Sequence, residues 1–310
     1  MLSIYKKLTA IIISCILTFS SVPTYAVSEL QNLSKETKNE QQPLEENFLP
    51  KRGNQSPPIH HQNNETKQPT ANISTNAQGW YFSHNTEGKQ PPMPREMQYI
   101  EEYNGYWIDT RHTDINSEDK VIYLTFDAGY ENGNVEKILD ILKNEEVPAA
   151  FFILKNLVTK DTDLVKRMAE EGHLICNHTA NHKDMTKATN FEDFKSELQE
   201  MEQIYTEVTG CKLAPYYRPP EGKTNEQTMK WTNDLGYKTV FWSYAYADWD
   251  NNKQMSPEKA YEKILSETHN GEVILLHPTS ATNAEILDDL IKAWKDRGFR
   301  FGTLDELTKE

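Results

Sequence analysis

Positive charge is scarce in this chain of 310 residues. It has 33 Lys and Arg against 47 Asp and Glu, which gives a formal net charge of −14 at pH 7. Nucleic-acid binding needs clustered basic side chains for the phosphates, so this balance argues against a nucleic-acid partner. Two motifs are also missing: a glycine-rich phosphate loop after the first expected core strand, and the His-Glu-x-x-His sequence of zinc peptidases.

Cysteine is rare, with three in the whole chain. Cys15 lies close to the amino terminus, which leaves Cys176 and Cys211 for the folded part. Two cysteines in an exported protein can form one disulfide. The alternative is that both are small buried apolar residues, and we favour it because a chain of this length does not need a disulfide to hold its core.

Long apolar runs are limited to one, near the amino terminus. Lys6 and Lys7 precede an apolar stretch over residues 8–19, and Thr24-Tyr25-Ala26 offers a cleavage site. This pattern predicts a signal peptide over residues 1–26, because the run is short for a transmembrane helix. We therefore expect a protein that is secreted or, if the segment is retained, anchored on the outer side of the cytoplasmic membrane.

The composition changes twice after the signal peptide. Residues 27–77 are rich in Gln, Asn, Glu, Lys, Pro, Ser and Thr, and we predict a disordered linker because they have little apolar surface to bury. Residues 78–119 form an aromatic-rich prologue, with a short helix expected at 96–103. Residues 120–310 form the predicted catalytic domain.

From residue 120 onward, short apolar runs alternate with amphipathic segments. Strands are expected at 121–126, 149–154, 173–176, 238–242, 272–276 and 299–301. Helices are expected at 134–143, 161–171, 190–209, 226–235, 257–268 and 284–297. Such alternation predicts βαβ units and an α/β fold with a parallel sheet, either a barrel or an open doubly wound sheet.

Polar side chains follow four of these strands. Asp127, the pair Asn177-His178, the segment 243–248 and His277 each come directly after an apolar run. Because the carboxyl ends of parallel strands share one face of the fold, we expect these groups to meet there.

Two histidines at i and i+4, His178 and His182, suit two ligands of a divalent metal if a helical turn follows the strand. The alternative is a pair of polar loop histidines. A partly desolvated Asp127 suits a general base, although a helix cap or turn aspartate has the same pattern.

Arg218 lies in a proline-stiffened loop and would lower the pKa of Asp127 if the two pair; otherwise it is a surface arginine. His277 suits a general acid if Asp248 holds its other nitrogen, and is otherwise a buried histidine bonded to backbone. Four aromatic residues near the fourth strand are expected in the core, with one or two available to stack on sugar rings: Trp242, Tyr244, Tyr246 and Trp249.

Over about residues 120–307 the chain resembles the NodB-homology polysaccharide deacetylases, the family 4 carbohydrate esterases. Five motifs in order carry the resemblance: Thr125-Phe126-Asp127-Ala128-Gly129, His178-Thr179-Ala180-Asn181-His182, Arg218-Pro219-Pro220-Glu221, Asp248-Trp249 and Leu275-Leu276-His277. The family fold is an irregular (β/α) barrel with its active groove at the strand ends.

The resemblance implies a hydrolase that removes acetyl groups from amino sugars, with a role for each matching residue. Asp127 would be the base, His277 the acid, Arg218 the group that tunes the base and Asp248 the group that orients the acid. His178 and His182 would hold a divalent metal, usually zinc. Four further residues would contact the glycan, with a backbone N–H near the first of them helping to hold the oxyanion: Glu221, Tyr217, Trp249 and Glu131.

Three positions depart from the family pattern. Ala128 stands where the family has a metal-binding Asp, Glu221 where Tyr is usual, and Ala245 where the fourth motif begins with Asp. Two imidazoles without a carboxylate make a weak metal site, which water or Glu131 would have to complete.

The departures and the prologue look like the spore-cortex muramic-δ-lactam de-N-acetylases, on segments 127–133 and 103–106. This implies peptide-stripped glycan strands containing N-acetylmuramic acid as substrate and a cell-wall or forespore intermembrane location. Separately, we expect a monomer, since the sequence gives no evidence of a protein partner. Two alternatives remain: a deacetylase of N-acetylglucosamine in peptidoglycan or chitin, and a catalytically silent glycan-binding protein.

Overall fold

The computed structural model describes residues 73–309. The signal peptide and most of the linker predicted above lie outside this range. The strands are β1 Gln78–Gly79, β2 Gly105–Tyr106, β3 Lys120–Ala128, β4 Ala150–Ile153, β5 Leu174–Asn177, β6 Tyr216–Tyr217, β7 Lys223–Thr224, β8 Lys238–Val240, β9 Tyr244–Ala245, β10 Glu272–Leu276 and β11 Phe299–Phe301.

Helices cover most of the chain between these strands. They are α1 Tyr99–Glu102, α2 Val135–Asn144, α3 Lys155–Lys160, α4 Thr162–Glu170, α5 Phe191–Thr209, α6 Glu226–Asp234, α7 Pro257–Glu267, α8 Ala281–Asp296 and α9 Leu304–Leu307. Three single 3₁₀ turns add to them, at Arg95–Met97, Met185–Lys187 and Pro220–Gly222.

The main sheet has nine strands and is parallel throughout. Its order is β2-β8-β6-β5-β4-β3-β10-β9, and β11 pairs with the first residues of β3. Within residues 73–309 no pairing joins β2 to β9, but a single antiparallel bridge links Ile108, just after β2, to Glu272 at the start of β10. The strand–helix alternation read from the sequence is therefore confirmed, and each sequence-predicted strand matches an observed one to within two residues.

The central strand β3 shows why the apolar runs form this sheet. It pairs with β4 on one side and β10 on the other, and seven of its nine residues are buried. A strand covered on both faces needs an almost unbroken apolar sequence. Asp127 is the next-to-last residue of β3 and is partly exposed, so the strand delivers a carboxylate to the sheet edge.

The prologue is more regular than the sequence suggested. It supplies β2, an edge strand of the main sheet, and β1, which pairs antiparallel with β7. Residues 73–77, assigned above to the linker, lie against the start of α6: the amide of Gln227 donates to the carbonyl of Ser74 at 3.1 Å. The expected helix at 96–103 is instead a 3₁₀ turn followed by α1.

Cys176 and Cys211 are both free, which agrees with the alternative without a disulfide. Cys176 is buried in β5, but Cys211 is exposed directly after α5, so the prediction of burial is wrong for Cys211. None of the helices between residues 73 and 309 is long and apolar enough to cross a membrane.

Candidate active site

A cavity of about 700 Å³ opens at the carboxyl ends of the central strands. Most of the predicted site residues meet there, as expected for polar groups that follow parallel strands. The lining residues are Asp127, Ala128, Gly129, Tyr130, Leu154, His178, His182, Glu221, Trp242, Ala245, Tyr246, Trp249, Leu275, His277 and Thr279.

Asp127 is held by the predicted arginine. Nη1 of Arg218 donates to Oδ1 of Asp127 at 2.8 Å, and Nη2 donates to Oγ1 of Thr125 at 2.9 Å. Burial alone would raise the pKa of Asp127, but the guanidinium of Arg218 and the imidazolium of His277 hold it below its ordinary value. Asp127 is therefore an ionised carboxylate at the cavity wall.

Arg218 itself has no exposed surface. Its Nε donates to the carbonyl of Val240 at 3.0 Å, Nη2 also donates to the carbonyl of Phe241 at 3.2 Å, and the guanidinium lies 4.1 Å from the ring centre of Phe152. A buried cation is tolerated only when it is paired and hydrogen-bonded. Arg218 is thus a fixed part of the site and not the surface arginine of the alternative.

His178 lies beside Asp127 on the cavity wall. Its Nδ1 lies 2.8 Å from the carbonyl oxygen of Arg218, and a carbonyl only accepts, so Nδ1 carries the proton and Nε2 presents its lone pair. Nε2 is 3.5 Å from Oδ2 of Asp127. Burial lowers the pKa of His178 to about 4, which keeps this imidazole neutral.

His182 joins His178 without the helical turn that the i, i+4 spacing suggested. Residues 178–182 form an irregular loop in which Thr179 has φ of 71° and His182 has φ of 53°. The hydroxyl of Thr179 accepts from the amide of His182 at 2.9 Å, and the two imidazole centres are 5.0 Å apart. Both rings therefore face the cavity, but a left-handed loop brings them together.

His277 and Asp248 form the second predicted pair. Nδ1 of His277 is 2.7 Å from Oδ1 of Asp248, and the amide of His277 donates to Oδ2 at 2.8 Å. Burial on its own would lower the pKa of His277, but the Asp248 carboxylate outweighs it and raises that pKa. The imidazolium is favoured, with Nε2 left free to donate.

Sequence reasoning missed Asn283, at the start of α8. Its Nδ2 donates to Oδ2 of Asp248 at 2.6 Å and to the carbonyl of His277 at 3.0 Å. The residue is buried and its own position is fixed by Ser280, whose hydroxyl caps the helix. An asparagine in the first turn of an amphipathic helix is common, so the sequence did not indicate that Asn283 would hold Asp248.

Two of the predicted substrate contacts, Tyr217 and Glu131, lie off the cavity wall. Tyr217 is 2% exposed and does not line the cavity; it packs against Phe194 and Tyr237, because β6 directs it into the core. Glu131 also lies off the cavity wall. Its two carboxylate oxygens accept from the amides of Gly133 and Glu136, so it caps the first turn of α2 and is not available to complete a metal site.

The other two predicted contacts do line the cavity. Trp249 is 63% exposed, and Tyr130, which the sequence analysis did not single out, is 44% exposed beside it in the lining. Glu221 has φ of 57° and its carboxylate pairs with Nζ of Lys223 at 2.6 Å. The rim thus offers aromatic faces, which stack on sugar rings, and one compensated acid.

The residues present do not fit a catalytic zinc with three protein ligands of its own. His178 and His182 supply two imidazoles, but Ala128 replaces the carboxylate and Glu131 is engaged at α2. Within residues 73–309, no group of three or more His, Cys, Asp and Glu side chains is arranged to hold a metal ion. A divalent ion would therefore have two imidazoles and would have to share Asp127, the candidate base.

Comparison with known proteins gives the same family as the motifs. The sequence pattern of the family described as polysaccharide deacetylase matches residues 114–240. Peptidoglycan-N-acetylmuramic acid deacetylase PdaA of Bacillus subtilis is 38% identical over 232 residues, which is 74% of this chain and 86% of that protein. The solved structure of Bacillus subtilis PdaA, a family 4 carbohydrate esterase, matches with a TM-score of 0.70 at 37% identity, over 76% of this chain and 98% of that one.

Two further relatives show the range of the family. A peptidoglycan-N-acetylglucosamine deacetylase of Bacillus cereus is 35% identical over 60% of this chain and 67% of its own length. The structure of a family 4 pseudoenzyme from Bacillus anthracis matches with a TM-score of 0.57 at 26% identity, over 64% of this chain and 68% of that one. The predicted barrel-type fold is confirmed as a curled half-barrel sheet. This chain therefore belongs to the polysaccharide deacetylase family, the family 4 carbohydrate esterases.

Proposed function

We propose that the protein hydrolyses the acetamide of N-acetylmuramic acid residues in peptide-stripped peptidoglycan and so leaves the free amine from which a muramic δ-lactam can close. One observation carries the proposal: the carboxylate of Asp127 and the imidazole of His277 face one cavity. Asp127 presents a carboxylate with a lowered pKa, and His277 presents an imidazole with a raised pKa. A base and an acid on one cavity are what amide hydrolysis needs.

In the proposed mechanism Asp127 removes a proton from water, and the resulting hydroxide attacks the acetyl carbonyl carbon. A new C–O bond forms and the carbonyl oxygen takes the negative charge. A backbone N–H near Glu221 donates to that oxyanion. The C–N bond then breaks as Nε2 of His277 protonates the leaving amine, and acetate and a free amino sugar are released.

Two supporting residues hold the proposed base and the proposed acid in position. Arg218 fixes Asp127 and holds its pKa down, which keeps the base ionised. Asp248 fixes the tautomer and the orientation of His277. His178 and His182 remain the proposed ligands of any divalent ion, and no step is assigned to it because the third ligand position is Ala128.

The muramic substrate is proposed from the extent of the similarity. Residues 120–310 make up about 62% of the chain, whereas the similarity to the N-acetylmuramic acid deacetylase covers 74% and so reaches into the prologue. The similarity to the N-acetylglucosamine deacetylase covers 60%. The prologue packs on the wall of the cavity, so a shared prologue favours a shared sugar.

Acetate release by the purified protein without residues 1–26 tests the proposal. Peptide-stripped peptidoglycan, intact peptidoglycan and chitin oligomers are offered separately, with Asp127→Asn as the inactive control. We expect acetate from the stripped glycan alone. Acetate mainly from intact peptidoglycan or chitin would favour an N-acetylglucosamine deacetylase, and binding without acetate from any glycan would favour a silent glycan-binding protein like the family's pseudoenzymes.

A further inference from the structure

One prologue residue holds two separate segments of the cavity wall. The amide of Trp80 donates to the carbonyl of Gly222 at 2.9 Å, and its indole Nε1 donates to the carbonyl of Trp242 at 2.8 Å. The first contact continues the antiparallel pairing of β1 with β7. Trp80 lies before residues 114–240, the part that the family pattern matches, so it is an addition to the family's catalytic motifs.

Both segments held by Trp80 belong to the site. Glu221 and Trp242 line the cavity, and the guanidinium of Arg218 lies 5.6 Å from the Trp242 ring centre. Arg218 also donates to the carbonyl of Phe241 at 3.2 Å, one residue before Trp242. The chain after β8 therefore lies between Arg218 on one side and Trp80 on the other.

The side chains around these two segments pack closely. Trp80 is buried, with its ring centre 4.8 Å from that of Phe241 and 5.3 Å from that of Trp107. Gly222 has φ of 64°, and a Cβ added there would lie 2.9 Å from Cβ of Trp80 and 2.8 Å from the Trp242 ring. Interiors this close transmit a displacement directly to the neighbouring group.

We infer that Trp80 is a positioning residue, which sets the loop 219–222 and the wall residue Trp242 against the reacting acetamide. The inference rests on the proposed function, because it assigns the loop to oxyanion binding. Trp80 does not touch the reacting atoms, so it acts on turnover through the loop and leaves the exposed aromatic faces of Tyr130 and Trp249 at the rim unchanged. A displacement of about 1 Å in such a group can reduce turnover on the order of 10²-fold.

The test compares Trp80→Phe with the matched control Trp107→Phe in the full folded protein. Both changes remove an indole from the same apolar cluster, but only the Trp80 indole donates to the cavity wall, at the carbonyl of Trp242. The backbone bond from residue 80 to Gly222 is kept in both variants. With peptide-stripped glycan we expect kcat of Trp80→Phe to fall about tenfold with KM within about twofold of wild type, and kcat of Trp107→Phe to stay within about twofold. Equal kcat values in the two variants would overturn the inference.

Backbone hydrogen exchange at the amides of residues 221–224 and 242–243 gives a second measurement that does not depend on activity. We expect faster exchange there in Trp80→Phe than in Trp107→Phe, because a held segment opens less often. Unchanged exchange would refute the positioning role, whether or not the wild type releases acetate. A wild type that releases no acetate would count against the proposed function alone. If Trp80→Phe does not fold, Trp80→Tyr is measured in the same way against the same control.

Discussion

The two aspartate–histidine pairs of the site use the same residue types in different ways. In the first, Asp127 and His178 both line the cavity, and the carboxylate is held by the buried Arg218. In the second, the imidazole of His277 faces the cavity and Asp248 lies behind it, 1% exposed. Asp127 has a lowered pKa, His178 has a pKa of about 4, and His277 has a raised pKa.

The difference teaches that the groups bonded to each aspartate decide which member of the pair carries the charge that catalysis needs. The guanidinium of Arg218 and the charge of His277 favour the ionised form of Asp127, whereas Asp248 is fixed by an asparagine and a backbone amide and favours a protonated His277. Two groups whose environments move their pKa values apart are the signature of an acid and a base in one site. The first pair is thus suited to take a proton and the second to give one.

The largest expected effect follows from breaking the first pair. Asp127→Asn keeps the size of the side chain but cannot accept a proton at neutral pH. We expect kcat for acetate release to fall by about 10³-fold or more, with the unfolding midpoint close to that of wild type. An Asp127→Asn protein with more than a tenth of wild-type kcat would show that another group is the base.

Breaking the second pair should cost less and should also move the pH dependence. Asp248→Asn removes the charge that raises the pKa of His277, so the acid form is lost at a lower pH. We expect kcat to fall by about 10²-fold and the alkaline limb of kcat/KM to move to lower pH. Asp250→Asn, on the same loop and pairing with Lys253 instead, is the matched control and should change neither; an unmoved limb in Asp248→Asn would contradict the pairing.

Placing a carboxylate at position 128 should make the two pairs differ further, because it adds a negative charge next to Asp127 and His178 and none next to His277. Ala128→Asp gives His178 and His182 a third ligand besides the base. We expect zinc to bind at least about tenfold more tightly than to wild type, measured by calorimetric titration. Ala128→Asn has the same shape without the charge; equal zinc affinity in the two variants would show that the two imidazoles and position 128 do not form one site.

The smallest effect is expected at Tyr217, which belongs to neither pair. Its hydroxyl is buried without a hydrogen-bond partner, so removing the oxygen takes away a desolvation cost. We expect Tyr217→Phe to leave kcat and KM within about twofold of wild type and to change the free energy of unfolding by no more than about 1 kcal/mol. A severalfold rise in KM would restore the substrate contact that the sequence suggested.

Sequence patterns predicted the strand ends and the residue types placed on them, because both follow from local periodicity. Asp127, His178 and His277 were found in this way. Partners that depend on tertiary packing were not: Asn283 reaches Asp248 from a helix start, and Glu131 turns to the first turn of α2 instead of the cavity. Such contacts are decided by where whole elements dock.

The prologue shows the same limit on a larger scale. Its aromatic residues predicted packing on the domain surface, but not that β2 joins the main sheet or that Trp80 reaches the loop at Gly222. Both are pairings between residues more than a hundred positions apart, and a two-residue strand such as β1 or β2 has no periodicity to detect.

The assignment of Asp127 as base and His277 as acid is tested most directly by the pH dependence of kcat/KM in the wild-type protein. The measurement is acetate release from peptide-stripped peptidoglycan. Asp127 must be ionised and His277 protonated, so the acidic limb should lie below the ordinary aspartate pKa of about 3.9 and the alkaline limb above the ordinary histidine pKa of about 6.5. An alkaline limb at or below about 6.5, or an acidic limb well above 4, would contradict the assignment of base and acid to these two residues.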